Sequence, residues 1–275
     1  MSNRTVLITG CSSGVGRAAA YAFLDEEWRV YATARNPADI ETLDDAGCRI
    51  GTIDVRSGED VARVVDRIIE ESGRLDAVVN NAGYGQYGPI EDVDDDRFEK
   101  QFDVNVFGPH RLVRAALPHM REREDGTIVN VSSVAGRVAA PGMGPYSASK
   151  HAIEGYSDSL RREVEPFGVD VSVVQPGPVE TGFRDRAADE LSRLDRTDAY
   201  EDLYAFQEDA TLLGGDSPIA VPPEDVADAI LEAAVSTDPD PRYVVGSAAQ
   251  LLVYASYLPD RIADTLFGAV RRFGA

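Results

Sequence analysis

Seven short apolar runs recur along the chain, separated by longer amphipathic stretches: TVLIT (5–9), WRVYAT (28–33), RIGTIDV (49–55), LDAVVN (75–80), GTIVNVS (126–132), VDVSVVQ (169–175) and RYVVG (242–246). Runs that are apolar at both odd and even positions cannot leave either face in water, and helix-forming segments rather than hairpin turns join them. The pattern predicts an α/β fold with a doubly wound, seven-stranded parallel sheet, Rossmann-like, in a single domain. Ligands in such sheets sit beyond the carboxyl ends of the strands, so the chemistry is expected where strands end.

The 275 residues suffice for one large core and are few for two enzymatic domains. The reading is a dinucleotide-binding and catalytic domain over 1–247, with a polar, strandless substrate flap over about 182–223, and a C-terminal helical extension over 248–275. In the extension Ile262, Leu266, Ala269, Val270 and Phe273 share a helical face, as a helix that covers a pocket or meets another copy requires, with attachment to a membrane surface as the alternative. Forty-eight acidic residues against twenty-seven basic ones leave a net charge of −21, which repels polyanions and excludes nucleic acid as a partner. With arginine at nearly every basic position and lysine only at Lys100 and Lys150, the composition points to a salt-adapted cytoplasmic protein. Cys11 and Cys48 are expected as free thiols. The opening MSNRTVLITG shows no signal peptide, and the apolar stretch from Ala248 to Leu258 is too short to span a bilayer, which takes roughly 18 to 20 residues.

Three places carry chemistry. Thr9-Gly10-Cys11-Ser12-Ser13-Gly14-Val15-Gly16 follows the first run and opens a helix, so its backbone can turn tightly and meet a pyrophosphate at the helix N-terminus. Its spacing is G-x-x-x-G-x-G, and a tight strand-to-helix connection is the plain alternative. The second run ends Ala34-Arg35-Asn36 without a carboxylate for the ribose hydroxyls; Arg35 can neutralise a 2′-phosphate, which favours NADP over NAD, or it is one surface arginine among many. Asp54, with Val55 beside it, ends the third run, either to accept from an adenine amino group or as a solvated loop aspartate.

In Tyr146-Ser147-Ala148-Ser149-Lys150 the i, i+4 spacing sets phenol and ammonium on one helical face, where the cation is expected to lower the phenol pKa for general acid–base work. Ser132 and Ser133 end the run before it, and Asn80-Asn81-Ala82-Gly83 ends the fourth. No G-x-S-x-G elbow accompanies His110, His119 or His151, which argues against a hydrolase.

Taken in order, TGCSSGVG, NNAG, Asn105 in DVNVFG, the serine before YSASK, and PGPVET (176–181) resemble the motifs of the short-chain dehydrogenase/reductase family, strongly over about residues 4 to 181. Within it, VLITGCSSGVG with VYATAR resembles the 17β-hydroxysteroid and retinol dehydrogenase-like reductases that favour NADP. The resemblance implies hydride transfer between a nicotinamide and a carbonyl carbon without a metal. It gives Tyr146 the proton exchange, Ser133 the polarising hydroxyl, Lys150 the nicotinamide ribose, and Asn105 a helix kink whose carbonyl holds a relay water. Cofactor contacts are expected at Gly10, Ser12, Ser13, Gly14, Val15, Gly16, Arg35, Asp54, Val55, Asn81, Ala82, Gly83, Tyr146, Lys150, Pro176, Gly177, Val179 and Thr181. Gln86, Tyr87, Val134, Met143, Pro178 and the flap are the expected pocket walls for a hydrophobic ketone or secondary alcohol. A homodimer or homotetramer is expected through the helices starting near Asp96 and Tyr146. The alternative is a dinucleotide-sensing or interaction protein on the same fold without turnover.

Overall fold

A computed structural model of the chain describes residues 4–209 and 217–265. The seven runs form strands β1 (Thr5–Thr9), β2 (Arg29–Ala34), β3 (Arg49–Thr52), β4 (Ala77–Asn80), β5 (Gly126–Val131), β6 (Val169–Pro176) and β7 (Arg242–Val245). All pair in parallel, in the order β3-β2-β1-β4-β5-β6-β7. β3 is shorter than its apolar run: Ile53 N still donates to Ala34 O at 3.0 Å, but the Asp54 carboxylate then accepts from Arg56 N and the chain turns away.

The helices are α1 (Gly14–Asp25), α2 (Glu41–Asp45), α3 (Gly58–Ser72), α4 (Asp95–Phe102), α5 (Gly108–Arg123), α6 (Gly144–Val164), α7 (Phe183–Ser192), α8 (Glu201–Asp209), α9 (Pro223–Val235) and α10 (Ser247–Ala255). Each strand feeds both layers, because successive side chains point to opposite faces. Val6 and Ile8 pack with Val79 and Val129 under α1 and α9, whereas Leu7 packs with Val78 and Ile128 under α3 and α5. Cys11 and Cys48 are free and buried. No helix among the described residues is long and apolar enough to cross a membrane. In the extension, Leu251, Tyr254 and Ile262 stand exposed; Leu266, Ala269, Val270 and Phe273 lie outside the described residues.

Asp76, just before β4, ties the amino edge of the sheet together. Its carboxylate accepts from Thr5 N at 2.7 Å and Arg123 Nη2 at 2.9 Å, and pairs with Arg74. Burial raises its pKa, but the bonds from Arg74, Arg123 and the Thr5 amide outweigh that and hold it below the usual carboxylate range. A carboxyl with a depressed folded pKa adds stability that is complete above the unfolded value of about 4 and is lost as pH falls through the folded one. Asp76→Ala is expected to lower unfolding free energy by about 3 kcal/mol near neutral pH, with the difference shrinking below about pH 4, as read by urea melts across pH. A constant difference from pH 7 down to pH 3 would refute the linkage.

Candidate active site

One cavity of about 710 Å³ runs along the carboxyl edge of the sheet, from the ends of β2 and β3 past β1 and β4 to β5 and β6. It spans the place where the strand order reverses between β1 and β4, the crevice that doubly wound sheets use for ligands.

The glycine turn after β1 forms its middle. Gly10, Ser12, Ser13, Gly14 and Val15 line the cavity, and Asn81, Ala82 and Gly83 face them from the end of β4. Asn81 Nδ2 donates to Thr9 O at 2.9 Å and Gly10 O at 3.2 Å, locking the two turns together. Gly16 lies behind the lining: a Cβ there would stand 2.4 Å from Asn81 Nδ2 and 2.5 Å from Gly10 O. Gly14 has φ +54°, and a Cβ on it would stand 2.7 Å from Thr181 Cγ2 across the cavity. Ser57 and Asp94 cap α3 and α4 with side-chain oxygens, yet Ser13 leaves the first amides of α1 uncapped. Uncapped amides and a glycine cradle fit a dinucleotide pyrophosphate. One residue outside the sequence reading, Arg17, clasps this turn by donating to Ser12 O and Asp39 O. Cys11 donates its thiol to Ile8 O, and burial pushes that thiol up to about 12, so it serves packing.

At the β2 end the lining is Ala34, Arg35, Ile53, Asp54, Val55 and Arg56. Arg35 makes no hydrogen bond or ion pair among the described residues, which leaves its guanidinium available to an anion. Asp54 lines the cavity with its carboxylate already held by Arg56 at 2.6 Å, a hydrogen bond that keeps it below the usual carboxylate range.

At the β5 end Ser133, Tyr146 and Lys150 share the lining with Pro176, Gly177, Val179 and Thr181. Pro145 fits the first turn of α6, where its missing N–H costs nothing, and Tyr146 follows directly. The Tyr146 ring is buried between Tyr87 at 5.9 Å and Phe183 at 5.6 Å, centroid to centroid. Burial pushes its phenol up to about 12, against the opposing hydrogen bond with Ser133. This corrects the expected lowering by Lys150. The ammonium lies 5.7 Å from the ring centroid and donates instead to Val131 O at 2.8 Å, so desolvation wins. Lys150 is itself pushed down to about 8 by burial, which Glu154 partly opposes. Ser133 Oγ accepts from Ala135 N at 3.1 Å, and its hydroxyl is turned to Tyr146. Ser132 Oγ is buried without a partner.

Asn105 does not line the cavity. It sits in a π-helical turn, Asp103–Phe107, between α4 and α5, as a kinking asparagine should. Its amide donates to Tyr84 O at 3.0 Å and Ser149 Oγ at 3.1 Å, and Ser149 Oγ donates to Tyr146 O at 2.7 Å. Gln101, one turn earlier and fully buried, accepts from Gln86 N at 2.6 Å and donates to Tyr84 O at 2.9 Å. These contacts join residues up to 44 apart in the chain, and no local pattern announces them. Of the expected pocket walls, Tyr87, Val134, Met143 and Pro178 line the cavity. Gln86 does not: it is fully buried, its side-chain amide donating to Tyr87 O at 2.9 Å and its backbone N–H to Gln101.

The flap forms a roof. α7 contributes Phe183, Arg184, Arg186 and Glu190 to the lining, and Ile219 adds to it; residues 210–216 lie outside the described part. Three hydroxyls fasten the roof to one short acidic turn: Thr197 Oγ1 and Tyr204 Oη donate to Asp92 at 2.6 Å, and Tyr200 Oη donates to Glu91 at 2.6 Å. Val93, Leu191, Leu194 and Tyr204 form a small separate apolar cluster beneath it.

Comparisons with known proteins agree with this geometry. The family model of short chain dehydrogenases matches residues 4–192. The chain is 35% identical to a 3-ketodihydrosphingosine reductase of Bacteroides thetaiotaomicron, covering 98% of this chain and 100% of that one. It is also 35% identical to human 17-beta-hydroxysteroid dehydrogenase type 1, covering 88% and 77%. Among solved structures, a short-chain dehydrogenase from Streptomyces avermitilis superposes with TM-score 0.83 at 32% identity, covering 100% and 99%. A short-chain dehydrogenase/reductase from Burkholderia phymatum in complex with NAD gives 0.78 at 27% identity over 91% and 92%, and a metagenomic short-chain oxidoreductase in complex with NADP gives 0.70 at 25% over 89% and 97%.

Proposed function

This chain belongs to the short-chain dehydrogenase/reductase family and is an oxidoreductase, and on that premise we propose that it transfers a hydride between NADP(H) and a bulky, apolar ketone or secondary alcohol, with Tyr146 as general acid and base. The observation that carries this reading is the placing of Ser133, Tyr146 and Lys150 in the same cavity as an unpaired Arg35 and an uncapped α1. When bound, the nicotinamide supplies or takes the hydride.

The chain's own groups handle the proton. In the reductive direction Tyr146 Oη gives its proton to the substrate oxygen, and burial keeps that proton in place throughout the neutral range. Ser133, whose Oγ accepts from Ala135 N, donates its hydroxyl hydrogen to the same oxygen. Lys150, a compact ammonium with one donor on Val131 O, keeps two for a ribose diol. Asn105 fixes the backbone of Tyr146 through Ser149 and keeps the kink through which a water can refill the proton. Gly10, Ser12, Ser13, Gly14 and Val15 hold the pyrophosphate, with Gly16 permitting the close packing behind; Asp54 and Val55 border the adenine. Asn81, Ala82, Gly83, Pro176, Gly177, Val179 and Thr181 hold the nicotinamide half. The apolar lining from Tyr87, Val134, Met143, Pro178 and Phe183, and the names of the keto-sphingoid and hydroxysteroid relatives, support a bulky apolar substrate. A pure sensor would need no buried Ser133–Tyr146 pair. The acid excess supports a salt-adapted cytoplasmic enzyme, and the exposed Phe107 beside α4 supports a homodimer or homotetramer through α4, α5 and α6.

Arg35 is assigned the 2′-phosphate. Arg35→Ala is expected to weaken NADPH binding about 10- to 100-fold while NADH binding stays within about twofold, followed by nicotinamide fluorescence. Tighter binding of NADH than NADPH by the unaltered protein would overturn the cofactor assignment.

A further inference from the structure

Glu154 has no part in the scheme above, yet it is a buried carboxylate two turns below Tyr146 and one below Lys150 on α6. Gln175 Nε2 of β6 donates to its Oε1 at 2.8 Å, and Arg242 Nε of β7 donates to its Oε2 at 3.0 Å. The turn after β5 closes over it: a Cβ on Gly136 would stand 3.1 Å from Glu154 Cγ and 3.0 Å from Lys150 O. Behind Arg242 the charges continue to alternate, since Arg242 Nη2 pairs with Asp158 at 2.9 Å and Asp158 pairs with Arg161 at 2.9 Å. A row of opposite charges thus runs from Glu154 to the outer end of α6, and Lys150, one turn nearer the cavity, donates to Val131 O rather than pairing directly with Glu154. Burying a carboxylate so deep is expensive, and an apolar side chain would pack the site at less cost.

We propose that Glu154 is a positioning residue for the proposed reduction: a buried counter-charge for Lys150, held by Gln175 and set in strength by Arg242 on β7. The proposal rests on the reading of the site as a nicotinamide-dependent reductase. The groups around Lys150 narrow the source of its counter-charge. On α6, Tyr146 and Glu154 face it; β5 and the following turn offer Val131 O and Ser133, which carry no charge. The π-helical turn carries Asp103, which pairs with Arg111 at 2.7 Å, and α4 carries Lys100, which pairs with Glu190 at 3.5 Å. β6 brings the neutral Gln175, and β7 brings Arg242. Glu154, buried one helical turn below Lys150, is the carboxylate that remains.

The test uses the fact that the chain has two lysines. With 13C-labelled lysine the full-length protein gives two side-chain signals, and Lys100→Arg assigns them. Lys150 is expected to titrate near about 8. In Glu154→Gln its midpoint should fall by about one pH unit, and in Arg242→Gln, which frees Glu154 from its neutralising partner, it should rise. The alkaline fall of kcat in ketone reduction should move with each midpoint, in opposite directions for the two variants. A merely structural role would lower Tm and leave both the midpoint and the alkaline limb unmoved, which would overturn the proposal. A moved midpoint with an unmoved limb would overturn it as well. If Glu154→Gln fails to fold, Arg242→Gln is read beside Arg242→Lys: solvent entry would raise the Lys150 midpoint in both, whereas freeing Glu154 raises it only in the first, so an equal rise in the two would overturn the proposal. If the unaltered protein turns over no ketone, the reductase reading is what fails, while the lysine titration still reports the coupling.

Discussion

Tyr146→Phe is expected to cut turnover about 10³-fold while leaving NADPH affinity within about twofold. The change removes one oxygen and keeps the ring that packs between Tyr87 and Phe183, so the cavity wall survives. What disappears is the proposed proton donor. Because burial keeps the Tyr146 proton bound up to about 12, the acid form is available at every working pH, and the alkaline loss of reduction should follow Lys150 near about 8 instead. Single-turnover oxidation of NADPH by an apolar ketone, beside a fluorescence titration of NADPH, separates the two effects. Undiminished reduction by the variant would remove Tyr146 from the mechanism.

Gly14→Val should abolish measurable cofactor binding, a loss of about 100-fold or more, with the sheet still folded. Two costs coincide. A β-branched residue at φ +54° is strained by roughly 1–2 kcal/mol, and its Cβ would meet Thr181 Cγ2 at 2.7 Å, pushing apart the two sides of the cavity. Thr181 is short and branched, with little freedom to move aside. Gly58→Ala, at the start of α3 where a Cβ meets nothing within 4 Å, is the matched control and should bind NADPH normally. Equilibrium titration with near-ultraviolet circular dichroism for folding reads both variants, and normal NADPH binding by Gly14→Val would remove the glycine turn from the site.

The sheet was legible because parallel strands covered on both faces must be apolar at every position, and Val6, Leu7 and Ile8 show the reason by dividing between two cores. The ends were harder. RIGTIDV reads as one run, but Asp54 caps the turn with its own side chain and β3 stops at Thr52. The cavity residues Ser133, Tyr146 and Lys150 could be named because they lie within one stretch of chain after β5. The phenol pKa could not, since it depends on rings from Tyr87 and Phe183 that only the fold brings together. Gln101, Glu154 and Arg17 escaped notice for the same reason: each acts through partners on other elements, and an isolated Gln, Glu or Arg on a helix reads as surface. Gln86 was misplaced because Gln101 of α4 holds its backbone, a partner that only the fold supplies, and Tyr87 meets the cavity instead.

The roof and the floor of the cavity are built on different terms. Ser133 and Tyr146 stand just after β5 and on α6, whereas α7 and α8 are tied down by side chains: the cluster of Val93, Leu191, Leu194 and Tyr204, the hydroxyls on Glu91 and Asp92, Lys100 on Glu190, and Gln207 on Pro141 O. Side-chain ties open at lower free energy than a sheet ladder. The floor is thus fastened by the sheet and the roof by side chains, and hydrogen exchange is expected to be faster in α7 and α8 than in β5 and α6.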